Sequence, residues 1–175
     1  ALGAIEELPY LDFGGKKIFE VVEETLKLIL QSTPKNYIIF LKPHPITNPS
    51  ILNKILQRLQ SNRVKISYLH PGLIGKKSKF AICSYYSTVM ADCKNLGTPT
   101  IEYTNYANFA REITKNKSLR PEHVTHFIST KSPSSLKAVI KNISRNIQEP
   151  KSEKYSITSS YISNELLCAL LKKEN

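Results

Sequence analysis

The chain has 175 residues, which is long enough for one sizeable hydrophobic core or two small ones. Its hydrophobic content of 41% is ordinary for a globular domain and excludes an intrinsically disordered chain. The formal net charge of +11 suits anionic partners, namely nucleic acid, anionic lipid head groups or phosphorylated small molecules. A solvated surface of scattered lysines would give the same balance, and that alternative stays open.

Apolar residues recur along the chain either at helical spacing or in short continuous runs, which predicts alternating helices and strands. Helices are predicted at 16–31, 48–60, 87–96, 106–113 and 134–147, and strands at 37–41, 64–69, 80–84, 100–103 and 124–128. A polar link at 149–152 leads to a last predicted helix that ends near Leu171. This alternation predicts an α/β, Rossmann-like doubly wound fold with a mainly parallel sheet and helices on both faces.

This division predicts one doubly wound domain followed by a C-terminal helix. Residues 1–150 are predicted to form the α/β domain, and residues 151–175 a C-terminal helix that packs back on it or toward a missing domain. The chain opens at Ala1 without a Met, so we expect it to be a piece of a longer protein. It has no apolar run of about 18 residues and no signal-peptide pattern, and we expect a cytoplasmic protein.

The first candidate site follows the buried strand 37–41, which ends in Lys42-Pro43-His44-Pro45. In parallel α/β sheets, ligands bind beyond the carboxyl ends of the strands, so this is where chemistry is expected. The two prolines restrict the backbone around His44 and lower the entropy cost of aiming its ring. A histidine in this position is also a common structural hydrogen-bonding group, but the strand end favours a ligand role.

The second candidate site follows the strand 80–84, where Ser84, Ser87 and Thr88 lead into a helix. Ser87 or Thr88 would cap that helix in any case. A helix N-terminus with hydroxyl groups and free backbone N–H groups is also an anion site, and phosphate is its usual occupant. Together with Lys42 and His44, these groups would form two halves of a phosphate pocket.

These residues resemble a known family. Lys42-Pro43-His44-Pro45, followed by the segment 84–92 (SYYSTVMAD) and Gly97-Thr98-Pro99, is similar to the C-terminal nucleotide-binding half of GT-B glycosyltransferases. The CDP-glycerol glycerophosphotransferase group is the most similar, and bacterial polysialyltransferases and capsule polysaccharide transferases share the pattern. The resemblance covers about residues 14–104. Ser84 stands where that group has Asp, and Thr98 where it has Lys.

The resemblance implies a role for each matching residue. His44, as the catalytic candidate, would contact the phosphate of a CDP-, CMP- or UDP-linked donor, and Ser87 and Thr88 would hold the same phosphates. Asp92 and Glu102 match acidic positions where a ribose or cytosine contact is expected. Gly14-Gly15, ahead of the first helix, match a glycine-rich loop that approaches phosphate or sugar, although a Gly-Gly pair is also a plain turn.

The implied activity is transfer of a glycosyl or glycerophosphoryl group during synthesis of a bacterial cell-surface polysaccharide, such as capsule or cell wall. The partners would be a nucleotide-activated sugar or CDP-glycerol and an acceptor glycan or glycolipid, with peripheral association at the inner membrane face. The nucleotide donor is a substrate, and no cofactor or metal is expected. The alternatives are a nucleotide-sugar epimerase of GT-B architecture and a basic nucleic-acid-binding module, although no recognised nucleic-acid motif is present.

The other histidines and the cysteines offer weaker candidates. His70 follows a strand but precedes Pro-Gly, which turn chemistry explains without a ligand. His126 lies in the predicted strand 124–128 and His123 directly precedes it, with no third zinc ligand nearby. The three cysteines match no metal motif and are predicted to be buried thiols, namely Cys83, Cys93 and Cys168.

Overall fold

The computed structural model describes residues 8–44 and 47–145. Helices and strands alternate along this range, as the sequence predicts. The helices are α1 Ile18–Ser32, α2 Pro49–Leu59, α3 Pro71–Lys77, α4 Thr88–Asn95, α5 Asn108–Thr114 and α6 Pro133–Arg145. The strands are β1 Ile39–Leu41, β2 Val64–Ile66, β3 Ala81–Cys83, β4 Thr100–Tyr103 and β5 His126–Ile128, with one 3-10 turn at Pro121–His123. The predicted helix in 151–175 lies outside the described residues.

All described strand pairs are parallel, which confirms the Rossmann-like α/β class. The strands form two small sheets instead of one continuous sheet, with orders β1-β2 and β3-β4-β5. In the first sheet Phe40 is opposite Lys65, and in the second Ile82 is opposite Ile101. Strands β1 and β3 are therefore the inner edges of the two sheets, and neither pairs with the other.

Helix α1 holds the two sheets together from one face. Its apolar stripe places Val22 and Leu26 in a cluster with β1, β2 and α2, while Ile29 packs against Ile101 and Leu136 over the other sheet. On the same face α1 packs against both α2 and α6, whereas α3 packs against α4. Since α3 and α4 do not share the α1 face, helices cover both sides of the strands, as in a doubly wound fold.

Helix α3 is the one described α-helix that the sequence analysis missed. The segment after β2 was predicted to continue as a strand to Leu69 and then to turn at Pro71-Gly72, but the strand ends at Ile66 and a helix starts at Pro71. The His70 Nδ1 accepts a hydrogen bond from the Gly72 N–H at 3.1 Å and caps this helix. Two glycines within seven residues hide the helix, because glycine has low helix propensity.

Candidate functional site

A groove of about 470 Å³ separates β1 from β3 and lies at the point where the chain reverses its direction across the sheets. From β1 the chain moves outward to β2, then crosses back through α3 to β3, and then moves outward again to β4 and β5. Such a reversal leaves a crevice at the carboxyl ends of the two inner strands, which is the usual ligand position in open α/β sheets.

The walls of the groove are strand edges and its two faces are helices. Residues 36–42 line one wall and residues 77–84 the other. Residues of α1 cover one face, and residues of α3 and α4 cover the other, among them Gly75 and Cys93. Along its length the groove is apolar: Ile38 and Phe40 are each about half exposed, at 51% and 52%. Polar groups lie at both ends of the groove: Lys42 and Ser84 at the carboxyl ends of the strands, and Asn36, Lys77 and Lys79 at the amino ends.

At the carboxyl end of β1, Lys42 lines the groove and is partly buried. His44 lies two residues farther along and is exposed, and its carbonyl oxygen accepts a hydrogen bond from the Thr47 N–H at 2.9 Å. This bond joins the segment after β1 to the segment before α2. A cationic side chain at the groove and an exposed imidazole next to it therefore occupy the strand end that the sequence predicts.

At the carboxyl end of β3, Ser84 is buried, with 8% exposure, and lines the same groove. The Ser87 hydroxyl accepts a hydrogen bond from the Val89 N–H at 3.4 Å, so Ser87 is the N-cap of α4. Thr88, the first residue of α4, is exposed. The predicted capping role of Ser87 is confirmed, and the first turn of the eight-residue α4 begins at this end of β3.

Tyr85 and Tyr86, between Ser84 and Ser87, turn away to other contacts. The Tyr86 hydroxyl makes a hydrogen bond of 3.2 Å with His123 Nδ1, and the two rings stack with centroids 6.0 Å apart. Tyr85 packs in an apolar cluster with Leu11 and Tyr106. These contacts tie the turn before α4 to the 3-10 turn before β5 and to the segment after β4, and they fix the position of its capping residue.

Glu102 lies in β4 and is fully buried, at 0% exposure. The Tyr106 hydroxyl donates a hydrogen bond to Glu102 Oε1, while Oε2 has no partner of normal geometry among the described residues. Burial raises the pKa of Glu102, and the Ser118 hydroxyl, the Tyr106 hydroxyl and the Tyr86 N–H offset only part of this effect. Glu102 could contact a ribose or a base only if the buried contacts around its carboxyl group opened. Asp92, in α4, is partly buried.

Gly14 and Gly15 lie in the turn before α1, both with positive φ of 61° and 77°, a conformation that glycine adopts at little cost. Asp12 organises this turn: its carboxylate accepts hydrogen bonds from the Gly14 N–H at 2.9 Å and the Asn105 amide at 2.8 Å. The Gly14 N–H and then the Lys131 ammonium, 3.2 Å away, lower the pKa of Asp12.

Two separate recesses hold three of the predicted site residues, whereas six others line neither recess, namely Gly15, His44, Ser87, Thr88, Asp92 and Glu102. Lys42 and Ser84 share the groove between β1 and β3. Gly14 lines a second recess of about 510 Å³ together with Asp12 and Lys131. The sequence analysis did not select Asp12, Asn105 or Lys131; the Asp two residues before a Gly-Gly pair was the signal available for a turn of this kind.

The histidines that were weaker candidates, His70 and His123, make contacts that stabilise the fold. His70 caps α3, and His123 binds Tyr86, as described above. Within residues 8–44 and 47–145 no group of three or more metal-ligating side chains comes together. Cys83 and Cys93 are buried as predicted and form no disulfide in this part of the chain, whereas Cys168 lies outside it. Burial raises the pKa of the Cys93 thiol to about 11.

No family model, curated protein or solved structure matches this chain. Among the helices that the structure describes, none has both the length and the apolar character to cross a membrane.

Proposed function

We propose that the chain is the donor-binding half of a GT-B type transferase and binds a nucleotide-activated donor at the carboxyl end of the groove. The observation that carries the proposal is the placement of Lys42 and Ser84 on opposite walls of a groove at the reversal point of the fold. Both residues belong to the phosphate pocket that the strand ends of the sequence predict, although they lie about 40 positions apart in the chain.

The chemistry of the site suits phosphate. Lys42 brings a positive charge, His44 an exposed imidazole, and Ser84 a hydroxyl group at the groove wall. Ser87 caps α4, and the first N–H groups of a helix favour an anion. If a diphosphate is held between these groups, they would stabilise the negative charge that develops on it as the bond to the transferred group breaks.

The proposed reaction is displacement at the anomeric carbon or the phosphorus of a CDP-, CMP- or UDP-linked donor, with the nucleotide as leaving group. In a two-domain transferase of this type the acceptor, here a glycan or glycolipid of a bacterial surface polysaccharide, would approach across a cleft from a second domain. We further propose that the +11 net charge assists peripheral contact with an anionic membrane face.

Calorimetric titration of the chain with CDP, CMP, UDP and a short DNA duplex tests the proposal. We expect one of the nucleotides to bind at a single site, and His44→Ala to weaken that binding by about tenfold, which corresponds to one lost hydrogen bond to a charged group.

The matched control is His70→Asn, because His70 also follows a strand but caps α3, and Asn retains a capping side chain. This variant should bind the nucleotide like the parent chain. Tight DNA binding that ignores His44, with no nucleotide binding, would contradict the proposal and favour a basic nucleic-acid-binding module.

A further inference from the structure

Positive charge is concentrated in one part of the chain. Residues 25–91 contain eight Lys, two Arg and no Asp or Glu, whereas the other 108 residues carry fifteen basic and fourteen acidic side chains. The net charge of +11 therefore comes almost entirely from this segment. Because the segment forms the first sheet together with α2, α3 and β3, the excess charge belongs to these elements and is not spread evenly over the fold.

Within this segment, helix α3 turns one face outward. Its inner face is fixed, because Gly75 is buried against α4 and the Gly75 carbonyl accepts a hydrogen bond from the Thr98 hydroxyl at 2.8 Å. Leu73, Lys76 and Lys77 are exposed, and their spacing of three and four residues places them on one side of the helix. Helix α3 therefore presents a leucine and two lysines together on its outer face.

Exposed apolar side chains extend this face into a patch. Tyr68 and Leu69 immediately precede the N-cap of α3 and are 66% and 57% exposed, and Leu73 is 48% exposed. Leu96, which is 47% exposed, borders the start of the helix, since a Cβ on Gly72 would lie 3.7 Å from Leu96 Cδ1. Single exposed apolar residues are normal, but a cluster of them marks an interaction site. The α3 patch, as we call it, consists of these four large apolar residues and three exposed lysines, namely Lys76, Lys77 and Lys79.

The lysines of the α3 patch lack acidic neighbours. None of the three forms an ion pair within the part of the chain that the structure describes, whereas Lys16, Lys27 and Lys131 do. Their uncompensated charge favours an anionic partner. A nucleic acid would use the lysines but would give the exposed leucines no apolar contact. An anionic bilayer offers both phosphate head groups and an acyl region beneath them.

From these observations we infer that the α3 patch is a docking surface for an anionic lipid bilayer. The lysines lie at the level of the head groups, and the side chains of Tyr68, Leu69 and Leu73 enter the boundary between head groups and acyl chains. This inference names the surface for the membrane contact proposed above. Its test uses no nucleotide, so the failure of nucleotide binding and the failure of membrane docking are distinguishable.

A fluorescent reporter tests where the chain meets the bilayer. The chain contains no Trp, so a single introduced Trp reports only on its own surroundings. Tyr68→Trp places the reporter in the α3 patch, and Phe109→Trp is the control on α5, where Phe109 is also exposed. Both full-length variants are titrated with vesicles of phosphatidylcholine alone and with vesicles in which about a third of the lipid is phosphatidylserine. We expect a blue shift of the emission only in Tyr68→Trp with the anionic vesicles, and less binding as salt rises.

A pair of charge reversals tests the lysines by sedimentation with the anionic vesicles. Lys76→Glu/Lys77→Glu should lower the partition coefficient by at least about tenfold, whereas Lys115→Glu/Lys117→Glu, with the same change of charge near α5, should retain most of the binding. No binding to anionic vesicles, equal losses in the two pairs, or an equal emission shift in Phe109→Trp would overturn the inference. Binding to a short DNA duplex in place of the vesicles would also overturn it and would favour a nucleic acid partner.

Discussion

Polar residues follow β1, β3 and β4, but the ends of β1 and β3 flank a groove, whereas the end of β4 is enclosed. At the ends of β1 and β3, Lys42 and Ser84 line a groove and His44 is exposed. At the end of β4, by contrast, Thr104, Asn105 and Tyr106 are all buried. We call the first the open end and the second the closed end.

The difference teaches that a polar strand end has two uses. At the closed end the polar groups bind one another: the Asn105 amide donates to Asp12, and Tyr106 donates to Glu102. They anchor the segment before α1 to the sheet. At the open end they flank a groove. The sequence position is the same in the two cases, and the difference is whether the polar groups bind one another or line a groove. The expected effects on stability below run from largest to smallest.

Replacing Tyr106 should damage the closed end most. The side chain is fully buried, stacks on Phe127 with ring centroids 5.6 Å apart, and bonds both Glu102 and the Leu119 N–H. We expect Tyr106→Ala to lower the free energy of unfolding by about 3–5 kcal/mol in denaturant titrations. Tyr106→Phe, the control that keeps the ring, should cost about 1–3 kcal/mol. No measurable cost in Tyr106→Phe would show that the hydroxyl network contributes nothing to stability.

Gly75→Ala should disturb the packing of α3 against α4, which together cover one face of the groove. A Cβ at Gly75 would lie 2.9 Å from Cys93 Sγ, which is closer than ordinary contact. Glycine to alanine in a helix normally stabilises by up to about 1 kcal/mol, but here we expect overpacking to prevail, with a loss of about 1–3 kcal/mol. Cys93→Ala supplies the matched background, since the sulfur is then absent. If Gly75→Ala costs the same in that background, the clash is not the cause.

Glu102→Gln should change how stability depends on pH. Burial raises the pKa of Glu102 above its ordinary value of 4.5 in the folded state. The folded chain therefore holds this proton more tightly than the unfolded chain, and the stability it contributes is complete below pH 4.5 and is lost as pH rises through the folded pKa. We expect the free energy of unfolding to fall over that range in the parent chain. In Glu102→Gln this component should be absent; the same pH slope in both would contradict the account.

Ser87→Asp should leave the free energy of unfolding almost unchanged but should weaken nucleotide binding at the open end. Aspartate is as good an N-cap as serine, so the cap of α4 survives, whereas Ser87→Ala should cost about 1 kcal/mol. The added carboxylate would repel a phosphate at the same helix end, and nucleotide affinity should fall by more than in Ser87→Ala. If both variants bind nucleotide like the parent chain, Ser87 is a cap and nothing else.

The alternation of helices and strands could be predicted because each long helix has a clear apolar stripe, as the run from Ile18 to Leu30 illustrates. The division into two sheets could not, because no local pattern reports whether β1 and β3 pair. Helix α3 was missed since Gly72 and Gly75 obscure it. The burial of Glu102 was also beyond the sequence: its partner Tyr106 is only four residues away, but the fold decides that both are enclosed.

The most direct test is a titration of the full chain with CDP in which backbone NMR chemical shifts are measured at each step. The account predicts saturable shifts that concentrate at the open end, at Lys42, His44, Ser84 and Val89, with little change at Tyr106 in the closed end. Shifts that concentrate at the closed end, or none that saturate with CDP, CMP or UDP, would contradict the claim that the open end is a nucleotide site.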